Sequence, residues 1–111
     1  MGYNTRYRLD VVTPESSELD KNSIIQDLVS DDEFEAKYAL EEDGSSSGGC
    51  KWYDHEEEMR TFSMKYPTVV FLLEGDGEES GDVWRKYFMN GKCQIAQAKL
   101  VFDQFDLRKL K

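Results

Sequence analysis

The sequence predicts an α+β domain: an antiparallel sheet with two helices on one face. Three observations predict it. Residues 3–11 alternate in polarity as a half-buried strand does, with Tyr3, Thr5, Tyr7, Leu9 and Val11 on one face and Asn4, Arg6, Arg8 and Asp10 on the other. Met59, Phe62 and Tyr66 recur at helical spacing behind a run of acids. Residues 68–73 are apolar on both alternating faces, and Asn90-Gly91 further on has the composition of a two-residue hairpin turn.

Taken in order, the first strand is stopped by Thr13-Pro14. Its Arg6 and Arg8 project together, to pair with sheet-surface acids such as Glu74 or to form an anion or ligand surface. After the polar stretch 16–22, Ile24, Ile25, Leu28 and Val29 give a short amphipathic helix. Its cap is Ser23, with Gln26 closing a capping box, or Asp20 or Asn22. Ser30-Asp31-Asp32 interrupts it. In residues 33–40, Phe34, Ala36, Tyr38 and Leu40 alternate with Glu35, Lys37 and Ala39, which reads as a half-exposed strand despite an abundance of good helix formers. Residues 43–50 are a flexible Gly/Ser loop.

Asp54 caps the second helix, with Glu57 completing a capping box and the acids 56–58 suiting the positive end of the helix dipole. Glu56 meets Arg60 at i,i+4, and Pro67 ends the helix. Residues 68–73 then form a central strand, and an acidic loop holds Asp76, Glu78, Glu79 and Asp82. Val83, Arg85, Tyr87 and Met89 alternate with Trp84, Lys86 and Phe88 up to the Asn90-Gly91 turn. The return strand runs over 93–105, with Ala96, Ala98, Leu100 and Phe102 toward the core and Ile95 and Val101 away from it; residues 106–111 fray. The order β-α-(β)-loop-α-β-β-β is nearest to a ferredoxin-like fold, or a variant with an added hairpin strand.

A chain of 111 residues is one domain, 1–111. The formal net charge of −9 is uneven. Residues 15–58 hold 15 Asp/Glu against three Lys, and the remainder holds 11 Lys/Arg against eight Asp/Glu. That asymmetry reads as a field that steers a basic partner or as acidic helices that simply keep a small protein in solution, and it disfavours direct nucleic-acid binding, which needs clustered cations. No leader pattern or membrane-length apolar run is visible, so the expectation is a cytoplasmic protein. Cys50 and Cys93 lack metal-ligand spacing and read as free thiols.

Catalytic patterns are missing. There is no nucleophile elbow, P-loop, kinase, dinucleotide or zinc motif. His55 is the single histidine, and beside Asp54 and Glu56 it reads as a solvated capping residue. The acidic loop lacks the EF-hand pattern. No catalytic residue, metal or cofactor is expected, and the chain is not read as an enzyme.

Two binding readings follow. In the first, an acidic face of Asp27, Asp31, Asp32, Glu35, Glu56, Glu57 and Glu58 engages a basic protein surface, such as a nucleic-acid-binding effector. In the second, Arg6, Arg8, Trp52, Trp84 and Arg85 form an aromatic-cationic sheet face for a small ligand or nucleotide, the alternative being that the large aromatics mostly pack between helices and sheet. A monomer or a homodimer through a free sheet edge fits either reading.

Lys51-Trp52-Tyr53-Asp54, Lys65-Tyr66-Pro67, Phe71, Glu78-Glu79, Gly81-Asp82, Trp84-Arg85-Lys86-Tyr87-Phe88 and Asn90-Gly91 resemble small proteins of phages, prophages and mobile elements with a ferredoxin-like domain. The resemblance covers the C-terminal half. It implies a small inhibitor or modulator of a host or defence protein, in the manner of anti-CRISPR proteins, acting by occlusion.

Overall fold

The computed structural model describes residues 4–14, 18–99 and 102–111. The expected positions of Tyr3, Ser16, Leu100 and Val101 lie outside them. Strand β1 (Thr5–Val12) is followed by helices α1 (Lys21–Val29), α2 (Ala36–Ala39) and α3 (His55–Ser63). Strands β2 (Val70–Gly77), β3 (Val83–Met89) and β4 (Lys92–Gln97) come next, then a 3-10 turn at Leu107–Lys109.

The four strands form one sheet in the order β1-β2-β3-β4, with every neighbouring pair antiparallel. The α+β expectation therefore holds, with residues 70–73 in a central strand. The ferredoxin-like order β-α-β-β-α-β is not the one seen: all three helices fall between β1 and β2, and none separates β3 from β4.

One sheet face is buried against the helices. Tyr7, Leu9 and Val11 of β1 join Phe71 and Leu73 of β2 and Phe88 of β3 there. From the helical side come Ile24, Ile25 and Leu28 of α1, Met59 and Phe62 of α3, and Trp52 just before α3. Phe62 sits at the centre, edge-on to both Phe34 and Phe71. The other face carries Arg6, Arg8, Leu72, Glu74, Arg85 and Tyr87, with Glu74 ion-paired to Arg85 at 3.3 Å and opposite Arg8 in register.

Local chemistry explains where the elements begin and end. Asp20 caps α1 by accepting from the Asn22 N–H and the Ser23 hydroxyl. Asp54 precedes α3, but its side chain makes no capping hydrogen bond. Its backbone, at φ −95° and ψ 21°, lies outside the extended region from which a capping side chain reaches the first N–H groups. The Asn90-Gly91 turn forms as expected, with φ of 48° and 81°.

Three expectations are corrected. Residues 36–39 form a helical turn, not a strand. The alternation suited a strand and the composition a helix, and burying Phe34, Ala36, Ala39 and Leu40 together against the helices decides for the turn. The return strand stops at Gln97 instead of continuing to 105, and its faces are exchanged. The two-residue turn pairs Phe88 with Cys93 and Lys86 with Ile95, so Cys93, Ile95 and Gln97 face the helical side while Ala96 faces away. Phe102, expected in the core, is 85% exposed.

The Gly/Ser loop also has structural work. The Thr5 N–H donates to the Cys50 carbonyl at 2.9 Å and the Cys50 N–H returns a bond to Thr5 at 3.0 Å. The Leu9 N–H donates to the Gly44 carbonyl at 2.8 Å. The loop thereby covers the outer edge of β1.

Candidate functional site

The seven acids of the expected partner surface come from α1, the α1–α2 connection, the start of α2 and the first turn of α3. The fold gathers them on the helical layer and anchors most of them. Tyr66 donates its hydroxyl to Asp27 Oδ2 at 2.8 Å. Lys65 reaches Asp31 at 3.4 Å, and Lys37 reaches Asp32 at 2.9 Å. The Glu35 backbone N–H donates to Glu58 Oε1 at 2.7 Å, which ties α2 to α3. Glu56 is held by Arg60 at 3.3 Å and by Lys86 at 3.4 Å. The side chains of Glu35 and Glu57 are exposed, as are those of Glu33, Glu41 and Glu42 on the same layer.

Electrostatics follow from these contacts. The Lys37 ammonium holds the Asp32 carboxyl below its ordinary value. Burial pushes the Glu56 carboxyl up, but Lys86 and Arg60 outweigh it and the net shift is downward. Burial raises Glu58 above its ordinary value, against the pull of the Glu35 N–H and the Trp52 indole. Among the described residues, that buried indole N–H makes no well-formed hydrogen bond.

The sheet separates the five residues of the ligand reading. Arg6, Arg8 and Arg85 lie on the open face. Trp52 is fully buried under the helices, and Trp84 lies on the helical face, opposite Gly75 in register. Only the arginines share a surface. Arg6 and Arg8 border a shallow depression of about 400 Å³ with Ser45 and Ser46, and Asp43, Glu74 and Asp76 line it as well.

One cluster is not legible as a site in the sequence. His55, expected to be a solvated cap, is half-buried between α3 and β3. Its ring stacks on Trp84 with centroids 5.0 Å apart and planes 16° from parallel. Nδ1 lies 2.8 Å from the Trp52 carbonyl and Nε2 lies 2.7 Å from Lys86 Nζ. Burial lowers the His55 pKa, with the Lys86 charge acting in the same direction. The neutral tautomer that fits donates from Nδ1 to Trp52 and accepts at Nε2 from Lys86. Sequence periodicity carries part of the signal: His55, Met59 and Phe62 fall on one stripe of α3, and alternation puts Trp84 and Lys86 on the same sheet face.

Cys50 and Cys93 are free, and burial pushes both thiols above their ordinary value. Neither is poised as a thiolate nucleophile. Among the described residues, no group of three or more His, Cys, Asp and Glu side chains could hold a metal ion, and no helix is long and apolar enough to cross a membrane. No family model, curated protein or solved structure matches the chain.

Proposed function

We propose that this chain is a binding protein whose acidic helical layer occludes a basic surface on a protein partner. One observation carries the reading: Asp27 of α1, Asp31 and Asp32 of the α1–α2 connection, and Glu56 and Glu58 of α3 are held by internal contacts, while Glu35 and Glu57 among them stay exposed. Carboxylates already held in place lose little conformational freedom on docking. Their field raises the association rate with a cationic partner and makes it salt-dependent. The sequence resemblance supplies a context: a mobile-element inhibitor or modulator, anti-CRISPR-like, acting on a nucleic-acid-binding effector in the host cytoplasm.

The test is capture from host lysate at low and high salt, followed by binding measurements on the purified partner. Glu35→Lys and Glu57→Lys alter exposed carboxylates that form no ion pair among the described residues. The double variant should keep its fold and weaken partner binding by at least about tenfold, as expected for a steered, charge-complementary interface. Unchanged affinity in that variant, or salt-independent binding, would sink the occlusion mechanism.

A further inference from the structure

The two edges of the sheet are treated differently. The edge of β1 is covered by the loop at Gly44 and Cys50, whereas β4 has no partner on its outer side among the described residues. The tight turn makes Met89 and Lys92 a hydrogen-bonded pair, so Lys92, Gln94 and Ala96 point their backbone groups inward at β3. The Ala98 N–H, bonded to the Val83 carbonyl at 2.9 Å, belongs to the same inward set. Cys93, Ile95 and Gln97 therefore aim their N–H and C=O groups outward. Ile95, midway between the other two, is 57% exposed.

Beyond β4, the described tail exposes Phe102 by 85%, Phe105 by 79%, Leu107 by 71% and Leu110 by 62%. The radius of gyration is 16.7 Å, against about 13 Å expected of a compact domain this long. An open depression of about 560 Å³, lined in part by Pro67, Val70, Tyr87, Met89 and Lys92, lies at the hairpin end of the sheet. The tail leaves β4 at the opposite end, roughly 20 Å along the strand.

We propose that two copies of this chain pair antiparallel through β4, with Ile95 on the two-fold axis, and that each tail packs on the other copy's hairpin-end depression. This register uses every outward group: Ile95 faces its twin, and Cys93 faces Gln97 of the second copy, both as hydrogen-bonded pairs. Lys92 falls opposite Ala98, so no like charges meet directly. The pairing also brings the departing end of β4 beside the second copy's Asn90-Gly91 turn, which is where the depression lies. The two phenylalanines offer roughly 300 Å² per copy. Counting both tails and both receiving surfaces gives roughly 1,200 Å², the lower end of a stable interface, before edge pairing is added.

Sedimentation velocity over a concentration series tests this. The wild-type protein should run at twice the chain mass. Ile95→Lys places two ammonium groups on the axis and should weaken the dimer at least about a hundredfold. Phe102→Ala with Phe105→Ala should weaken it while leaving the domain's circular dichroism unchanged. A wild-type monomer at every concentration, or a folded Ile95→Lys variant that still dimerises, overturns the proposal. Should Ile95→Lys fail to fold, cross-linking decides. In a Cys50→Ser, Cys93→Ser background, Ile95→Cys should oxidise to a covalent dimer and Gln94→Cys should not. The reverse pattern, or no cross-linking at either position, refutes the register.

Discussion

Gly75 is the position where one added methyl group should do the most damage. It lies in the central strand, opposite Trp84 in register, and the indole lies flat across its bare backbone. A Cβ there would overlap Trp84 Cε2, Cζ2 and Cη2. The indole cannot withdraw freely. It stacks on His55, meets Tyr7 edge-on at 6.0 Å, and lies under Lys86 Nζ at 4.6 Å. Gly75→Ala must therefore displace the ring and disturb three contacts, or push β2 from β3. Overpacking of this kind costs about 1–3 kcal/mol. Glycine's own entropic handicap in a strand works the other way, at under about 1 kcal/mol. A net loss of about 1.5 kcal/mol should lower the melting temperature by about 6 °C. Thermal and urea unfolding followed by circular dichroism measure it. Trp84→Leu removes the obstacle, so the double variant should lose at least about 1 kcal/mol less than the sum of the two single changes. A melting point within about 1 °C of wild type for Gly75→Ala, or simple additivity in the pair, would refute the packing argument.

Three other expectations concern stability. His55 has a lowered pKa in the folded state, so the unfolded chain takes up a proton there first; its contribution is complete above about pH 6.5 and falls as acidification proceeds through the folded pKa. Unfolding free energy should therefore decline between pH 7 and 5, and His55→Gln should flatten that slope; an unchanged slope refutes the assignment. Gly44 has φ of +88° and an added Cβ would overlap the Leu9 carbonyl oxygen, so Gly44→Ala should cost more than about 1 kcal/mol in urea unfolding and speed amide exchange along β1. The buried Ser63 hydroxyl donates to the Arg60 carbonyl and accepts from the Gly91 N–H, both at 2.8 Å. Ser63→Ala orphans that N–H and should cost about 1–3 kcal/mol in the same assay, with faster exchange at Gly91.

The sequence speaks most clearly where a local rule and the global packing agree. Met59 and Phe62 lie at helical spacing and both are fully buried; Asn90-Gly91 has turn chemistry and turns. Reading fails where one local pattern serves two structures. Residues 33–40 alternate like a strand, but four apolar side chains reach the core only when the segment coils. It fails again where a face depends on one unit of register. Composition places Ala96 and Ala98 inward, yet the two-residue turn fixes Cys93 opposite Phe88 and exchanges every side chain after it. The site shows the same division. The acids are visible as charges, but their anchors are not: Tyr66 and Lys65 reach Asp27 and Asp31 from a distant segment, and Lys37 meets Asp32 across a segment that alternation reads as a strand and that folds as a helical turn.

The two surfaces put forward here lie on different parts of the molecule. The acidic layer belongs to the helices; the free edge is β4, where the helical cover ends. A β4-paired dimer would thus leave Glu35 and Glu57 open on each copy and present two acidic layers at once. A partner with two basic patches at matching spacing would then gain effective concentration at the second contact, and a monomeric Ile95→Lys variant would bind it more weakly with its acids untouched. Comparing that variant with Glu35→Lys/Glu57→Lys separates loss of the docking charges from loss of bivalency. The charge variant should weaken each contact and the edge variant only the avidity. Equal partner affinity in wild type and the monomeric edge variant would show that a single acidic layer is sufficient.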